Sequence, residues 1–173
     1  DPECGRHLCH AMLLPRQEAL DALDSLKQHG RVDLGAASIE RRGKASFVTM
    51  NNSRHLNAED NGTVNAVETA VDLALLDPET MVCVLRGCVI EHGKYSGQRV
   101  FSTGINLTHL YQGRIPYLWY LVRELGFVHK FYCGLATPNA MPDDVTGETI
   151  EKPWIAAVEK FAIGGGCQYL LTM

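Results

Sequence analysis

The sequence predicts an α/β fold built around a largely parallel sheet. Segments with helical hydrophobic spacing alternate with short apolar segments of the strand type, and turn residues separate them. Of the 173 residues, 46% are hydrophobic and 21% are charged, which is typical of a globular protein and excludes a disordered chain. The length suits one compact domain or a part of a larger protein.

The first elements predicted are a helix and a β-hairpin. Three leucines at helical spacing lie between Pro15 and Gly30, and they predict a helix over residues 16–29. The Arg-Arg-Gly-Lys sequence at residues 41–44 predicts a tight turn between two strands. A polar loop, rich in turn residues, follows over residues 51–60.

The middle of the chain alternates between helix and strand. Valines at helical spacing up to Leu75 predict a helix that ends before Asp77. Residues 81–85 form an apolar run of the kind found in strands buried on both faces. Residues 101–110 predict a strand end, a glycine turn and a short helix, and residues 116–131 predict a longer helix.

The last third of the chain predicts a loop, a strand and a helix. Residues 137–147 are rich in Pro, Asp, Asn and Gly, which indicates a surface loop. Residues 153–161 are strand-like, and three glycines at residues 164–166 open a final helix that is cut off at Met173.

Composition excludes several functional classes. The 16 basic and 20 acidic residues give a net charge of −4, which argues against a nucleic-acid surface. The apolar runs are too short to span a bilayer. No targeting segment is visible and no two of the six cysteines form a CxxC pair, so we expect a cytoplasmic protein. Cys4, Cys9 and His10 lack a second cysteine pair at zinc-finger spacing, so no metal site is predicted.

Two strand-to-helix junctions are candidate sites of chemistry. Gly164, Gly165 and Gly166 allow a ligand close to the backbone at a helix N-terminus, where free N–H groups stabilise a negative oxygen. Residues 101–107 form a second such junction. One N–H from each could meet at a single carbonyl oxygen. The alternative for both is a tight turn without a binding role.

Several stretches of the sequence together resemble the crotonase superfamily, the family of enoyl-CoA hydratases and isomerases. Residues 152–158 (KPWIAAV) and 161–167 (FAIGGGC) resemble its signature stretch. Residues 101–107 (FSTGINL) resemble its upstream oxyanion turn, and residues 55–58 (HLNA) resemble its loop that contacts coenzyme A.

The resemblance implies a particular architecture. Residues 35–173 would form a crotonase-like spiral of ββα units. Residues 1–34 would be the end of a helical N-terminal region, and the C-terminal part of the fold would be absent from this chain. The family also implies a homo-oligomer, either a trimer or a dimer of trimers.

Residues 54–60, 104–107 and 123–126 resemble one branch of the superfamily in particular. Its members oxygenate an aryl-acetyl-CoA thioester in a pathway that supplies dihydroxyphenylglycine to glycopeptide antibiotics. The implied reaction converts 3,5-dihydroxyphenylacetyl-CoA and dioxygen to 3,5-dihydroxyphenylglyoxylate and free coenzyme A through a thioester enolate. No metal or organic cofactor is implied, because the electron-rich enolate reduces dioxygen directly.

The resemblance also implies roles for individual residues. The N–H groups of Ile105 and Gly165 would form the oxyanion hole, Glu59 would contact a ring hydroxyl, Arg123 would orient the ring, and Gln168 would lie near dioxygen. The alternatives without a role in catalysis are a helix cap for Glu59, a surface position for Arg123 and no specific role for Gln168. The other substrate- and coenzyme A-binding residues implied are Ser53, Arg54, His55, Leu56, Ala58, His92, Tyr95, Thr103, Gly104, Asn106, Thr108, Gly164 and Gly166.

Two further interpretations stay open at this point. The protein could be another crotonase-type enzyme, such as a hydratase, isomerase or thioesterase. Gln168 follows Cys167 where hydratases commonly have Cys-Glu, which disfavours a hydratase. Alternatively, the chain could be an inactive crotonase fragment that only binds acyl-CoA.

Overall fold

The computed structural model describes residues 1–141, 143–145 and 147–173. Its helices are α1 (Pro2–Ala11), α2 (Gln17–His29), α3 (Val64–Leu76), α4 (Leu107–Tyr111), α5 (Tyr117–Arg123), α6 (His129–Cys133) and α7 (Gly165–Leu170). Its strands are β1 (Arg31–Asp33), β2 (Ala37–Arg42), β3 (Ala45–Met50), β4 (Val82–Gly87), β5 (Leu135–Ala136), β6 (Thr149–Ile150) and β7 (Trp154–Ala157). The loop predicted over residues 137–147 includes positions 142 and 146, which lie outside the described residues.

One mixed sheet organises the fold. Five strands pair in the order β1-β2-β3-β4-β7, and β5 and β6 form a separate two-stranded pair. The β1–β2 and β2–β3 pairings are antiparallel, whereas β3–β4 and β4–β7 are parallel. The sequence predicts a largely parallel sheet, but half of the pairings here are antiparallel. The hairpin accounts for one antiparallel pairing, and β1, a strand that the hydrophobic pattern does not indicate, accounts for the other.

The predicted hairpin is confirmed. In β2 and β3, Ala37 pairs with Met50 and Arg42 pairs with Ala45, so the turn is tighter than the four residues predicted. Gly43 has φ of +60°, a left-handed conformation that glycine adopts without steric cost. The hairpin brings the polar loop that follows β3 to one end of the sheet.

Helix α3 forms the centre of the core. Ten of its 13 residues are buried, and it packs against α2, β2 and β3. Because side chains on most sides of this helix are buried, its hydrophobic face is broad. Its C-terminal end is followed by Asp77, as the sequence predicts.

A buried ion cluster ties α3 to α6. The side chain of Lys130 is fully buried, and its Nζ donates to Glu68 Oε1 and Asp72 Oδ1, both at 2.8 Å. Asp72 Oδ2 also accepts a hydrogen bond of 2.8 Å from the backbone N–H of Arg16, which joins the start of α2 to the cluster. Burial raises the pKa of Asp72 to about 7, despite the opposing effect of Lys130.

The long helix predicted over residues 116–131 is interrupted. Within Glu124–Val128 the chain kinks at Gly126, whose φ of −84° and ψ of −120° are not helical. A Cβ at Gly126 would lie 3.0 Å from both carboxylate oxygens of Glu68. The kink therefore lets the chain approach the ion cluster closely, a contact between segments distant in sequence that helical spacing cannot reveal.

Within the described residues, no helix is both long enough and apolar enough to cross a membrane.

The Lys130→Met variant tests the buried ion cluster. It removes the cation that lies between two buried carboxylates, and we expect a loss of about 3–5 kcal/mol in the free energy of unfolding. Denaturant unfolding measures this loss, with the half-exposed Lys27→Met as a control that should change little. A triple variant that adds Glu68→Gln and Asp72→Asn should regain part of the loss. An unaltered unfolding midpoint for Lys130→Met would contradict the assigned role.

The raised pKa of Asp72 predicts a pH dependence of stability. In the unfolded chain this carboxyl loses its proton near its ordinary pKa of 3.8, but in the folded protein it keeps the proton up to about pH 7. Folding therefore takes up a proton in this window, and the free energy of unfolding should fall as pH rises from about 4 to 7. Unfolding measured across this range should show a smaller fall in Asp72→Asn than in the wild type. Asp24→Asn, an exposed control, should keep the wild-type slope.

Candidate active site

Two glycine-containing turns lie in contact at the centre of the site. One turn, Gly104–Ile105, precedes α4, and the other, Gly164–Gly165, leads into α7 and includes its first residue. They are joined by a parallel bridge between Ser102 and Ala162. A Cβ on Gly104 would lie 2.7 Å from the carbonyl oxygen of Ile163 and 3.1 Å from the N of Gly165. Only glycine allows this approach, and φ of +76° at Gly104 requires it as well.

Each turn presents an N–H group without an internal partner. Within the described part of the chain, the N–H groups of Ile105 and Gly165 donate to no acceptor. Gly165 is the first residue of α7, where backbone N–H groups have no intrahelical acceptor. The structure thus brings together the two turns that the sequence selects, each with a free donor, as an oxyanion site requires.

The loop after β3 holds the first turn in place. The N–H of Glu59 donates to Gly104 O at 2.7 Å, and the N–H of Asn106 donates to Glu59 O at 2.8 Å. Asp60 Oδ2 accepts from Asn106 Nδ2 at 3.0 Å and lies 3.1 Å from His109 Nδ1. These contacts fix Ile105 from both sides, so its N–H direction depends on the neighbouring loop.

A cleft of about 540 Å³ opens beside the first turn. Its rim carries the cationic side chains of Arg54 and Lys94, and Tyr95 contacts the ring of Phe161 at a centroid distance of 5.4 Å. The predicted binding residues that line it are Arg54, His55, Leu56, Ala58, His92, Tyr95, Thr103, Asn106 and Thr108, together with Ile105.

The remaining predicted binding residues lie next to the cleft or the turns. The carbonyl oxygen of Ser53 is 3.1 Å from His92 Nε2. Gly164 is the N-terminal cap of α7 with φ of +54°. Gly166 packs so closely on Ser102 that a Cβ would lie 2.9 Å from the serine hydroxyl.

Behind the turns, Glu59, Arg123 and Gln168 form one polar network together with Glu124. The guanidinium of Arg123 is bound by Glu59 and Glu124, and its Nη1 donates to Gln168 Oε1 at 2.7 Å. Gln168 Nε2 in turn donates to Glu124 Oε2 at 2.5 Å. Arg123 is buried, so a snorkelling surface position is wrong for it. The resemblance assigns no role to Glu124, although Glu124 lies in the resembling stretch 123–126.

Aromatic rings enclose the buried side of this network. The guanidinium carbon of Arg123 lies 5.1 Å from the ring centroid of Tyr169 and 5.8 Å from that of Phe127. Burial, followed by the nearby carboxylate of Glu59, raises the pKa of Tyr169 well above its ordinary value. The Tyr169 hydroxyl therefore stays protonated and can donate a hydrogen bond.

The candidate metal ligands do not gather. No group of three or more His, Cys, Asp or Glu side chains in the described part of the chain has a metal-binding arrangement. All six cysteines are free thiols, and Cys4, Cys9 and His10 lie on α1, away from the two turns.

Comparison with known proteins identifies several relatives of this chain. No family model matches the chain. Over 172 residues it is 48% identical to (3,5-dihydroxyphenyl)acetyl-CoA 1,2-dioxygenase of Amycolatopsis orientalis, which covers 99% of this chain and 39% of the relative. It is 24% identical over 141 residues to a short-chain-enoyl-CoA hydratase of Clostridium acetobutylicum, which covers 82% of this chain and 45% of the relative.

A solved structure of a carnitinyl-CoA dehydratase from Mycobacterium avium 104 superposes with a TM-score of 0.55 and 28% identity. The match covers 79% of this chain and 44% of that one. The chain thus spans less than half the length of these relatives. The expected crotonase-like α/β fold is confirmed over the matched residues, and the chain belongs to the crotonase superfamily.

Proposed function

We propose that this protein is an acyl-CoA enzyme that oxygenates (3,5-dihydroxyphenyl)acetyl-CoA without a metal or organic cofactor. The observation that carries the proposal is the contact between the Gly104–Ile105 and Gly164–Gly165 turns, which leaves one backbone N–H free on each. Two such donors lower the free energy of a thioester enolate, because they bind its oxygen more strongly than the neutral carbonyl oxygen. The 48% identity to the Amycolatopsis dioxygenase supports the choice of reaction.

The cleft beside the first turn suits the coenzyme A part of the substrate. Coenzyme A carries phosphate groups, and Arg54 and Lys94 place two cations on the rim. The lining residue Ile105 connects the cleft to the turns, so a thioester bound there would have its carbonyl oxygen near the free N–H groups. The other end of the acyl group would extend towards Glu59, whose carboxylate accepts hydrogen bonds from phenolic hydroxyls.

The proposed reaction balances with dioxygen as the oxidant. Loss of one Cα proton gives the enolate, which reduces dioxygen and forms a Cα–O bond. The terminal peroxide oxygen then attacks the thioester carbon and expels coenzyme A as its thiolate. The O–O bond breaks as the second Cα proton leaves, which yields the arylglyoxylate. Both oxygen atoms of dioxygen enter the product. Dioxygen accepts four electrons in the reaction, and all four come from the oxidation of Cα.

A conventional crotonase reaction is the second candidate. The similarity to a short-chain-enoyl-CoA hydratase favours it, since the same oxyanion geometry serves hydration, isomerisation and thioester hydrolysis. Against a hydratase, Gln168 is hydrogen-bonded at both ends of its amide and has no ionisable group to move a proton. A fragment that only binds acyl-CoA would bind the thioester without oxygen uptake or thiol release.

We also propose that the protein assembles as a homo-oligomer, a trimer or a dimer of trimers. Apolar side chains of α4 and α5 support this, because Tyr111, Tyr117 and Leu118 are 94%, 80% and 65% exposed in the single chain.

Incubation with (3,5-dihydroxyphenyl)acetyl-CoA under oxygen tests the proposed reaction. We expect one dioxygen consumed per free thiol released, and ¹⁸O from labelled dioxygen at two positions of the product. Glu59→Gln should lower kcat/KM by about 10- to 100-fold, because a charged acceptor for the ring hydroxyl is lost. The exposed Glu79→Gln is the matched control. Thiol release without oxygen uptake would instead support a thioesterase, and hydration of crotonyl-CoA a hydratase.

Gly104→Ala tests the oxyanion turn. The added methyl would collide with Ile163 O and displace the Ile105 N–H, so we expect kcat to fall by about 10²–10³-fold. Gly43→Ala is the matched control, because Gly43 also has positive φ but has open space around its Cα. Thermal unfolding of both variants separates backbone strain from the effect on the turn. Equal kcat in the wild type and Gly104→Ala would refute this use of the turn.

A further inference from the structure

The network behind the turns has one member, Glu124, to which the family resemblance assigns no role. Glu124 is 38% exposed at its side chain, whereas the side chains of Arg123 and Glu59 are 2% and 6% exposed. It contacts both Arg123 and Gln168. From this geometry we infer that Glu124 is a positioning residue, which holds Arg123 and Gln168 so that Glu59 is free to accept a ring hydroxyl of the substrate. The inference rests on the proposed function.

Arg123 and Glu124 share one partner although they are consecutive in the sequence. Both have α-helical backbone angles, and the chain departs from helix only at Gly126. Consecutive side chains on a helix point about 100° apart, so they meet a common neighbour only where that neighbour lies between them. Gln168 of α7 occupies that place, because it accepts from Arg123 and donates to Glu124.

Every donor of Arg123 is used within the protein. A guanidinium has five N–H groups, and the five contacts here are two with Glu59 and one each with Glu124, Gln168 and the carbonyl oxygen of Gly165. Arg123 therefore has no donor left for a substrate and acts through the groups that it holds. Carboxylate oxygens accept more than one hydrogen bond each, so Glu59 keeps acceptor capacity.

Charge balance explains why Glu124 matters to Glu59. One cation is shared between two carboxylates, so Glu59 retains negative charge that favours a hydroxyl donor. Without the charge of Glu124, Arg123 would be neutralised by Glu59 alone, and Glu59 would become a weaker acceptor. Loss of Glu124 would also leave one Arg123 N–H and the Gln168 amide without acceptors, which frees both side chains to rotate.

Anaerobic binding measurements test this inference without relying on turnover. The probes are (3,5-dihydroxyphenyl)acetyl-CoA and phenylacetyl-CoA, which differ only in the ring hydroxyls. For Glu124→Gln, we expect Kd for the dihydroxy thioester to rise about tenfold and Kd for phenylacetyl-CoA to change less than twofold. Glu124→Ala should show a larger rise than Glu124→Gln, and Glu79→Gln should match the wild type. An equal loss for both thioesters, or no loss, would overturn the inference.

A spectroscopic measurement separates this inference from the proposed function. Solvent exchange of the Arg123 guanidinium protons, followed by ¹⁵N NMR, should be slow in the wild type and at least tenfold faster in Glu124→Ala. If wild-type protein binds both thioesters equally, the site does not recognise the ring hydroxyls, and the proposed function is contradicted. Unchanged exchange in Glu124→Ala would refute the positioning role itself, whatever the substrate.

Discussion

The site depends on backbone pairing between three segments that are far apart in the sequence. The loop after β3 pairs with the first turn through Glu59 and Ile105, and that turn pairs with the segment after β7 through Ser102 and Ala162. Because these are backbone contacts, they fix the peptide planes themselves and not only the side chains. A site that works through N–H groups needs this kind of constraint, since its donors have no rotamers to adjust.

Two buried cations impose a second constraint. Arg123 and Lys130 lie on either side of the kink at Gly126, and each is bound by two carboxylates. An unpaired charge at either position would be costly, so the carboxylates of Glu59 and Glu68 must stay close to the α5–α6 segment. The polar groups of the site are therefore held by the same segment that closes the core over α3.

Patterns within single segments of the sequence are sufficient to predict part of this fold. Hydrophobic spacing predicts α2 and α3, and turn residues predict the β2–β3 hairpin, because each signal lies within the element itself. The two glycine turns stand out for the same reason, and resemblance to known sequences pairs them. The same resemblance indicates Glu59, Arg123 and Gln168, and the structure brings these three residues into one network. Their roles towards a substrate stay predictions.

Other features depend on contacts between residues that are far apart in the sequence. β1, β5 and β6 are only two or three residues long and exist through their partners. Residues 116–131 have helical spacing throughout, but the chain kinks at Gly126, where it approaches Glu68. Glu124 joins the network because Gln168 of α7 reaches it, and the position of Glu124 beside Arg123 does not reveal that contact.

The kink at Gly126 also limits which sequence changes this segment can accept. Each helical residue advances the chain by about 100° around the helix axis, so deletion of a single residue within Glu124–Val128 would turn α6 by about that angle relative to α5. Arg123 and Lys130 could then not both face their carboxylates. Length in this segment is thus tightly constrained, and natural variants should differ here by substitution rather than by insertion or deletion.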